Sequence, residues 1–158
     1  VNVVALFYVC DILTNRMNTD NMQKMGGIRN VSRTFSVLFL IIIFGSIAIP
    51  LTNGFVGEFL LLHGIFQYNT VMAVFSSLTV ILGTLYLMRA YHKIMHGETN
   101  TLTETFGTIT LNEKIILAGF VVLILFFGIF PNIILQVSEP QVKQLIEHVH
   151  HALAMAKH

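Results

Sequence analysis

Ile49-Pro50-Leu51-Thr52-Asn53-Gly54-Phe55-Val56-Gly57-Glu58-Phe59-Leu60 separates two apolar runs, one from Phe35 to Ile49 and one from Phe59 to Phe66. From Thr34 to Met88, Glu58 is the only Asp, Glu, Lys or Arg. Taken together, residues 34–68 are too long for one straight crossing of a bilayer at about 1.5 Å per residue. A discontinuous helix resolves the excess length. Pro50 removes a backbone donor and crowds the preceding turn, and Gly54 and Gly57 permit unusual backbone angles. A simple proline kink, or two short spans joined by a turn, fits the same residues. Unwound backbone is tolerated within a membrane only where protein or a water-filled cavity surrounds it, and transporters build ion sites at such breaks. Pro50, Thr52, Asn53, Gly54 and Gly57 are therefore the candidate helix break.

Composition sets the class. The chain has 158 residues, 54% of them hydrophobic and only 11% charged, against about 25% charged in a soluble domain. The charges cluster between long apolar runs, which indicates an all-α, polytopic transmembrane protein. The alternating pattern of a membrane barrel is absent. A net charge of +1 leaves no basic face to track phosphates, which argues against a nucleic-acid partner; the bilayer itself is the expected surrounding. Cys10, the one cysteine, excludes an internal disulfide and reads as a small buried hydrophobe.

Taken in order, residues 1–14 fit the end of a truncated transmembrane helix. The chain opens on Val1 inside an apolar run, as expected of a piece of a longer subunit. Residues 15–33 form a loop carrying Arg16, Lys24, Arg29 and Arg33, placed in the cytoplasm by its basic residues. The discontinuous helix follows at 34–68. Residues 70–95 form the next span, with Ser76, Thr79 and Gly83 as a small-residue packing stripe, and it ends in Arg89, His92, Lys93 and His96. His92 and His96 have the spacing of a metal pair but no third ligand, and read as a basic surface patch. Residues 97–111 return as a second cytoplasmic loop. Residues 112–135 form the last span, closed or kinked at Gly128 and Pro131. Residues 138–158 read as an interfacial or periplasmic amphipathic tail, with Ser138 as its cap and with Val142, Leu145, Ile146, Val149 and Leu153 on one stripe. His148, His151 and His158 lie on its polar side, more in keeping with an interface than with a metal site.

A charge at the bilayer centre costs about 2.5–3.5 kcal/mol on insertion scales, and a residue retained at that cost is a functional candidate. Desolvation favours the neutral acid of Glu58, while the start of the following half-helix favours the anion. A carboxyl balanced in this way can take up and release a proton. It can also serve as a structural clamp on the unwound backbone. His63 stands five residues on, about 140° around a helix; it is a possible relay or a packed neutral histidine. No glycine fingerprint, cysteine set or paired haem ligands are present, so no cofactor and no metal are expected in this chain.

The stretch Pro50, Phe55, Gly57, Glu58, Phe59 resembles the antiporter-like subunits of respiratory complex I, within them the M branch, known as chain 4 in mitochondria. Their pattern is Pro-x-x-x-x-Phe-x-Gly-Glu-Phe in the broken helix of the second repeat. The sister subunits usually carry lysine at the position of Glu58. Residues 15–22, with Met25-Gly26-Gly27, are similar to a family loop, from which Asn15, Asn18 and Asp20 depart. The resemblance implies the second half of an antiporter-like inverted-repeat fold and a proton half-channel ending at Glu58. It also implies other complex I membrane subunits as partners, the two sister subunits above all, with flavin and iron–sulfur clusters carried by partner subunits. The implied location is the bacterial inner membrane, with the C-terminus periplasmic. Two other readings stay open: a subunit of a multi-subunit cation/proton antiporter or membrane-bound hydrogenase, and a structural membrane anchor.

Overall fold

The computed structural model describes the backbone of residues 1–155 and the side chains of residues 1–142 and 144–146. The described residues form eight helices and no strand. α1 (Asn2–Met17) stops where Asn18 turns left-handed, at φ 49°, and donates its N–H to the Thr14 carbonyl; Asn tolerates that conformation. The single turn α2 (Ile28–Val31) leads into α3 (Arg33–Ser46), then α4 (Asn53–Tyr68). α5 (Thr70–Met95) is capped by Asn69, whose side chain accepts from the Val71 and Met72 N–H groups. α6 (Thr101–Glu104) is one turn. α7 (Leu111–Ile129) opens on a reciprocal capping box between Thr110 and Glu113, which satisfies two otherwise free donors. α8 (Asn132–Met155) is the last of the described helices.

The core lies where α1, α3 and α7 meet. Ala5, Val9, Ile42, Leu117 and Ile124 are fully buried there. α1 runs antiparallel to α3, because Asn2 Nδ2 at its start donates to the Gly45 carbonyl near the end of α3, at 2.8 Å. α7 runs parallel to α3. Phe106, just before it, packs its ring 5.3 Å from that of Phe35, while Ile124 packs against Gly45. α5 returns antiparallel to α3, with the buried Tyr91 hydroxyl 2.8 Å from Ser36 Oγ.

One end of the bundle is knitted from both polar loops. The Gly27 N–H donates to the His96 carbonyl, Asn100 Nδ2 to Lys24 and Thr103 Oγ1 to Gly26. Arg16 pairs with Glu113 at 2.6 Å and also donates to the Phe106 and Thr108 carbonyls. The loops containing residues 18–27 and 96–110 therefore share one end. The α4–α5 connection lies at the other.

α5 and α7 are each long and apolar enough to cross a membrane, and only 6% and 17% of their apolar windows are buried within the chain. α4 has no buried residue. Bare apolar faces of this extent call for lipid or further protein as cover.

Several expectations need correction. Cys10 is exposed on the outer side of α1, because the helix turns its other side, Ala5 and Val9, to the core. The last long span ends at Ile129 rather than 135, and a new helix starts after Pro131, whose carbonyl accepts from Ile134 and Leu135. Ser138 consequently lies inside α8 and donates to the Ile134 carbonyl, so it caps nothing. α1 runs on to Met17, and α2 and α6 place single turns inside the two polar loops. Val149, Leu153, His148, His151 and His158 lie outside the residues whose side chains are described.

Candidate functional site

Six residues, 47–52, separate α3 from α4 without helical structure. Their backbone follows two known solutions in sequence. First, Ala48 turns left-handed, at φ 55°, and the Ile49 N–H reaches back to the Phe44 carbonyl at 3.2 Å. That is the six-to-one bond of a Schellman stop. Second, the Thr52 N–H donates to the Ile49 carbonyl at 3.1 Å across Pro50 and Leu51, with Leu51 at φ 79°. Proline in the second position and a positive φ in the third make the type II pattern. The buried Thr52 adds its hydroxyl to the same carbonyl, at 2.7 Å. It caps the Ile49 carbonyl and not the start of α4.

The glycines do a different job from the one expected. Gly54 and Gly57 are helical, and the positive φ angles belong to Ala48 and Leu51. Gly54 is needed for close approach, since a Cβ there would run into the Gly45 carbonyl. Gly128, at the end of α7, meets the Leu51 carbonyl in the same way. Backbone touches backbone at both places. Gly57 has nothing within 4 Å. Pro50 sits in the turn, exposed. Asn53 opens α4 with its side-chain oxygen buried and unpartnered, as is that of Asn2.

Glu58 lies one turn and a half into α4. Its Oε2 is buried and has no hydrogen-bond partner. It lines a cleft of about 170 Å³ together with Ser46 at the end of α3, Ile47 of the break, and Thr79, Val80, Gly83, Thr84 and Leu87 of α5. Gly83 stands 13 residues after Thr70 and 12 before Met95. At about 1.5 Å per residue, the cleft is about 18–20 Å from either end of α5. Three hydroxyls surround it, each donating within its own helix: Ser46 to the Ile42 carbonyl, Thr79 to Ser76 and Thr84 to Val80. Their oxygens keep lone pairs for a further donor.

His63 is placed elsewhere. It is exposed, stacked on Phe59 at 6.3 Å between ring centres and 3.0 Å from Gln67 Nε2. It shares a stripe with Phe55 and Phe59, not with Glu58. His92 and His96 stack at 4.8 Å, and His96 Nε2 lies 3.1 Å from Arg29 Nη1. The contribution of Ser46, Thr79 and Thr84 to the Glu58 cleft was not foreseen. The Ser76, Thr79, Gly83 spacing was the available signal, read there as helix packing.

A family model described as NADH:quinone oxidoreductase/Mrp antiporter, TM matches residues 2–85, from α1 through the break and the Glu58 cleft. The chain belongs to that family. Among the family's curated members, the NADH-quinone oxidoreductase subunit M of Rickettsia prowazekii (strain Madrid E) is 38% identical over 143 residues, 90% of this chain and 29% of that one. The subunit M of Rhodobacter capsulatus is 33% identical over 147 residues, covering 92% and 29%. The NADH-ubiquinone oxidoreductase chain 4 of Marchantia polymorpha is 30% identical over 146 residues, covering 91% and 29%. The chain thus spans about 29% of the length of the relatives it matches. In this antiporter-family chain, the matched region holds every residue of the cleft except Leu87.

Proposed function

We propose that the chain is part of a proton-translocating membrane subunit of NADH:quinone oxidoreductase, and that Glu58 is the proton-transfer residue at the end of its half-channel. The observation that carries this reading is the buried, unpartnered Glu58 Oε2 facing a hydroxyl-lined cleft midway along α5. At about 30 Å³ per water, the cleft has room for several. Water there can deliver a proton to the Glu58 carboxylate and receive it back, with Ser46, Thr79 and Thr84 as acceptors that hold the water in line. α3 and α4 act as halves of one discontinuous transmembrane helix. Their break leaves the carboxylate next to polar backbone rather than lipid.

The rest of the reading follows the family. The loops with Arg16, Lys24, Arg29 and Arg33 and with Arg89 and Lys93 nearby face the cytoplasm. The C-terminus faces the periplasm of a bacterial inner membrane. The partners are the other complex I membrane subunits, including the two sister antiporter-like ones, and the fold is half of an inverted repeat. Flavin and iron–sulfur chemistry belongs to other subunits. The names of the relatives favour this over an independent cation/proton antiporter.

The test is proton uptake per NADH oxidised, in vesicles holding the intact complex. Glu58→Gln keeps the shape and removes the titration, and is expected to abolish pumping through this subunit and slow coupled electron transfer. Glu58→Asp is expected to retain part of both. Normal pumping in Glu58→Gln would leave Glu58 a structural clamp and the chain an anchor.

A further inference from the structure

We propose that the Arg29–Arg33 corner is a binding site for an anionic phospholipid, its phosphate held by the two guanidinium groups and an acyl chain laid along α3. Two adjoining cavities carry the proposal. The first, of about 520 Å³, is lined by Arg29, Asn30, Arg33, Met95, His96 and Gly97 and is mainly polar. The second, of about 340 Å³, is lined by Arg33, Thr34, Val37 and Leu38 and shares Arg33 with the first. Arg33 is the first residue of α3, and from Phe35 onward that helix is nearly all apolar. The arginine thus marks the level at which polar loop gives way to apolar helix, the depth of a lipid phosphate. Val37, 51% exposed, continues the groove from that level toward the middle of the helix.

The charges fit an anion. Arg29 and Arg33 are both exposed, and the ion pair formed among the described residues, Arg16 with Glu113, involves neither of them. Among the described residues, the Arg29 guanidinium lies 3.1 Å from the imidazole Nε2 of His96 and pairs with no carboxylate. A guanidinium presents a planar fork of donors matched to phosphate. The polar cavity alone would equally suit free phosphate. The apolar groove joined to it at Arg33 commits the site to a lipid.

The experiment uses the full-length subunit in its intact complex, placed in nanodiscs of phosphatidylcholine containing a minority of phosphatidylglycerol with a photoreactive acyl chain. The cross-links are mapped by mass spectrometry. Labelling is expected at Val37 and Leu38. Unlabelled phosphatidylglycerol should displace it, but glycerol phosphate and phosphatidylcholine should not. Arg29→Gln with Arg33→Gln should reduce labelling on the order of tenfold, and Arg29→Lys with Arg33→Lys should keep most of it, which separates loss of charge from loss of fold. Equal labelling by a phosphatidylcholine probe would overturn the proposal. So would labelling that persists in the glutamine variant, displacement by glycerol phosphate, or no labelling at this corner in the intact complex.

Discussion

Glu58 owes its surroundings to side chains on two other helices. Ser46 and Ile47 close one side of the cleft and the Thr79 to Leu87 stretch closes the other. A Cβ at Gly83 would meet nothing within 4 Å, so a side chain is accommodated there, and a large one takes up the open space of the cleft that Gly83 lines. Gly83→Leu is expected to leave the complex assembled and to cut proton uptake by about tenfold, equivalent to about 1.4 kcal/mol of added barrier. Unchanged uptake with the cleft filled would show that protons take another way. His96 offers a separate test at the same scale. Burial pushes its imidazole below the usual 6.5, with His92 and Arg29 adding to the effect. The unfolded chain then binds a proton at higher pH than the folded one. This contribution to stability is intact above pH 6.5 and is lost as pH falls from there toward the depressed value. Melting of the detergent-solubilised protein on either side of pH 6.5 is expected to show a smaller difference in His96→Gln than in the parent. An equal or larger difference would mean His96 does not set it.

The helix break shows how much of an element the sequence discloses. Pro50 marks the turn, and the excess length of residues 34–68 requires an interruption. What stayed hidden is which residues bend. A reader of composition assigns strain to glycine, yet Ala48 and Leu51 take the positive φ angles, because the Schellman stop and the type II turn fix position before residue type. The glycines serve tertiary approach, visible only once α3, α4 and α7 are placed. The hydroxyl lining of the cleft was hidden for the same reason: spacing puts Thr79 and Gly83 on one face but cannot say that the face meets Glu58. A pair of substitutions tests this division. Gly54→Ala forces a Cβ against the Gly45 carbonyl and is expected to destabilise by about 1–3 kcal/mol or more, as overpacking does. Gly57→Ala, with open space, is expected to be neutral or to stabilise by up to about 1 kcal/mol through helix propensity. Chemical or thermal unfolding of the two variants decides it. Equal effects would contradict the close-approach account.

Across the whole molecule, both polar loops gather at one end and the α4–α5 turn lies at the other. Arg16, at the end of α1, ties that helix to α7 through Glu113 and to the 96–110 loop through the Phe106 and Thr108 carbonyls and the face of the Phe106 ring, 5.4 Å away. Arg16→Ala removes all of these and is expected to cost about 1–3 kcal/mol, discounted from a fully buried pair because both side chains are partly exposed; thermal melting measures it. The all-helical membrane class and the family were legible from composition and from the Pro50 to Phe59 stretch; of the three spans expected, two helices, α5 and α7, are long and apolar enough to cross a membrane. The wide bare faces of α4 and α5 were not, because exposure depends on which neighbours the chain supplies.

On the proposed function, the Glu58 carboxyl gains and loses a proton during turnover. Infrared difference spectroscopy of the intact complex, started by NADH, measures this directly in the region of the protonated carboxyl stretch. A band is expected that changes sign between reduction and reoxidation, shifts in deuterated water and is missing in Glu58→Gln. A spectrum in that region identical for the parent and Glu58→Gln, at equal turnover, would contradict it.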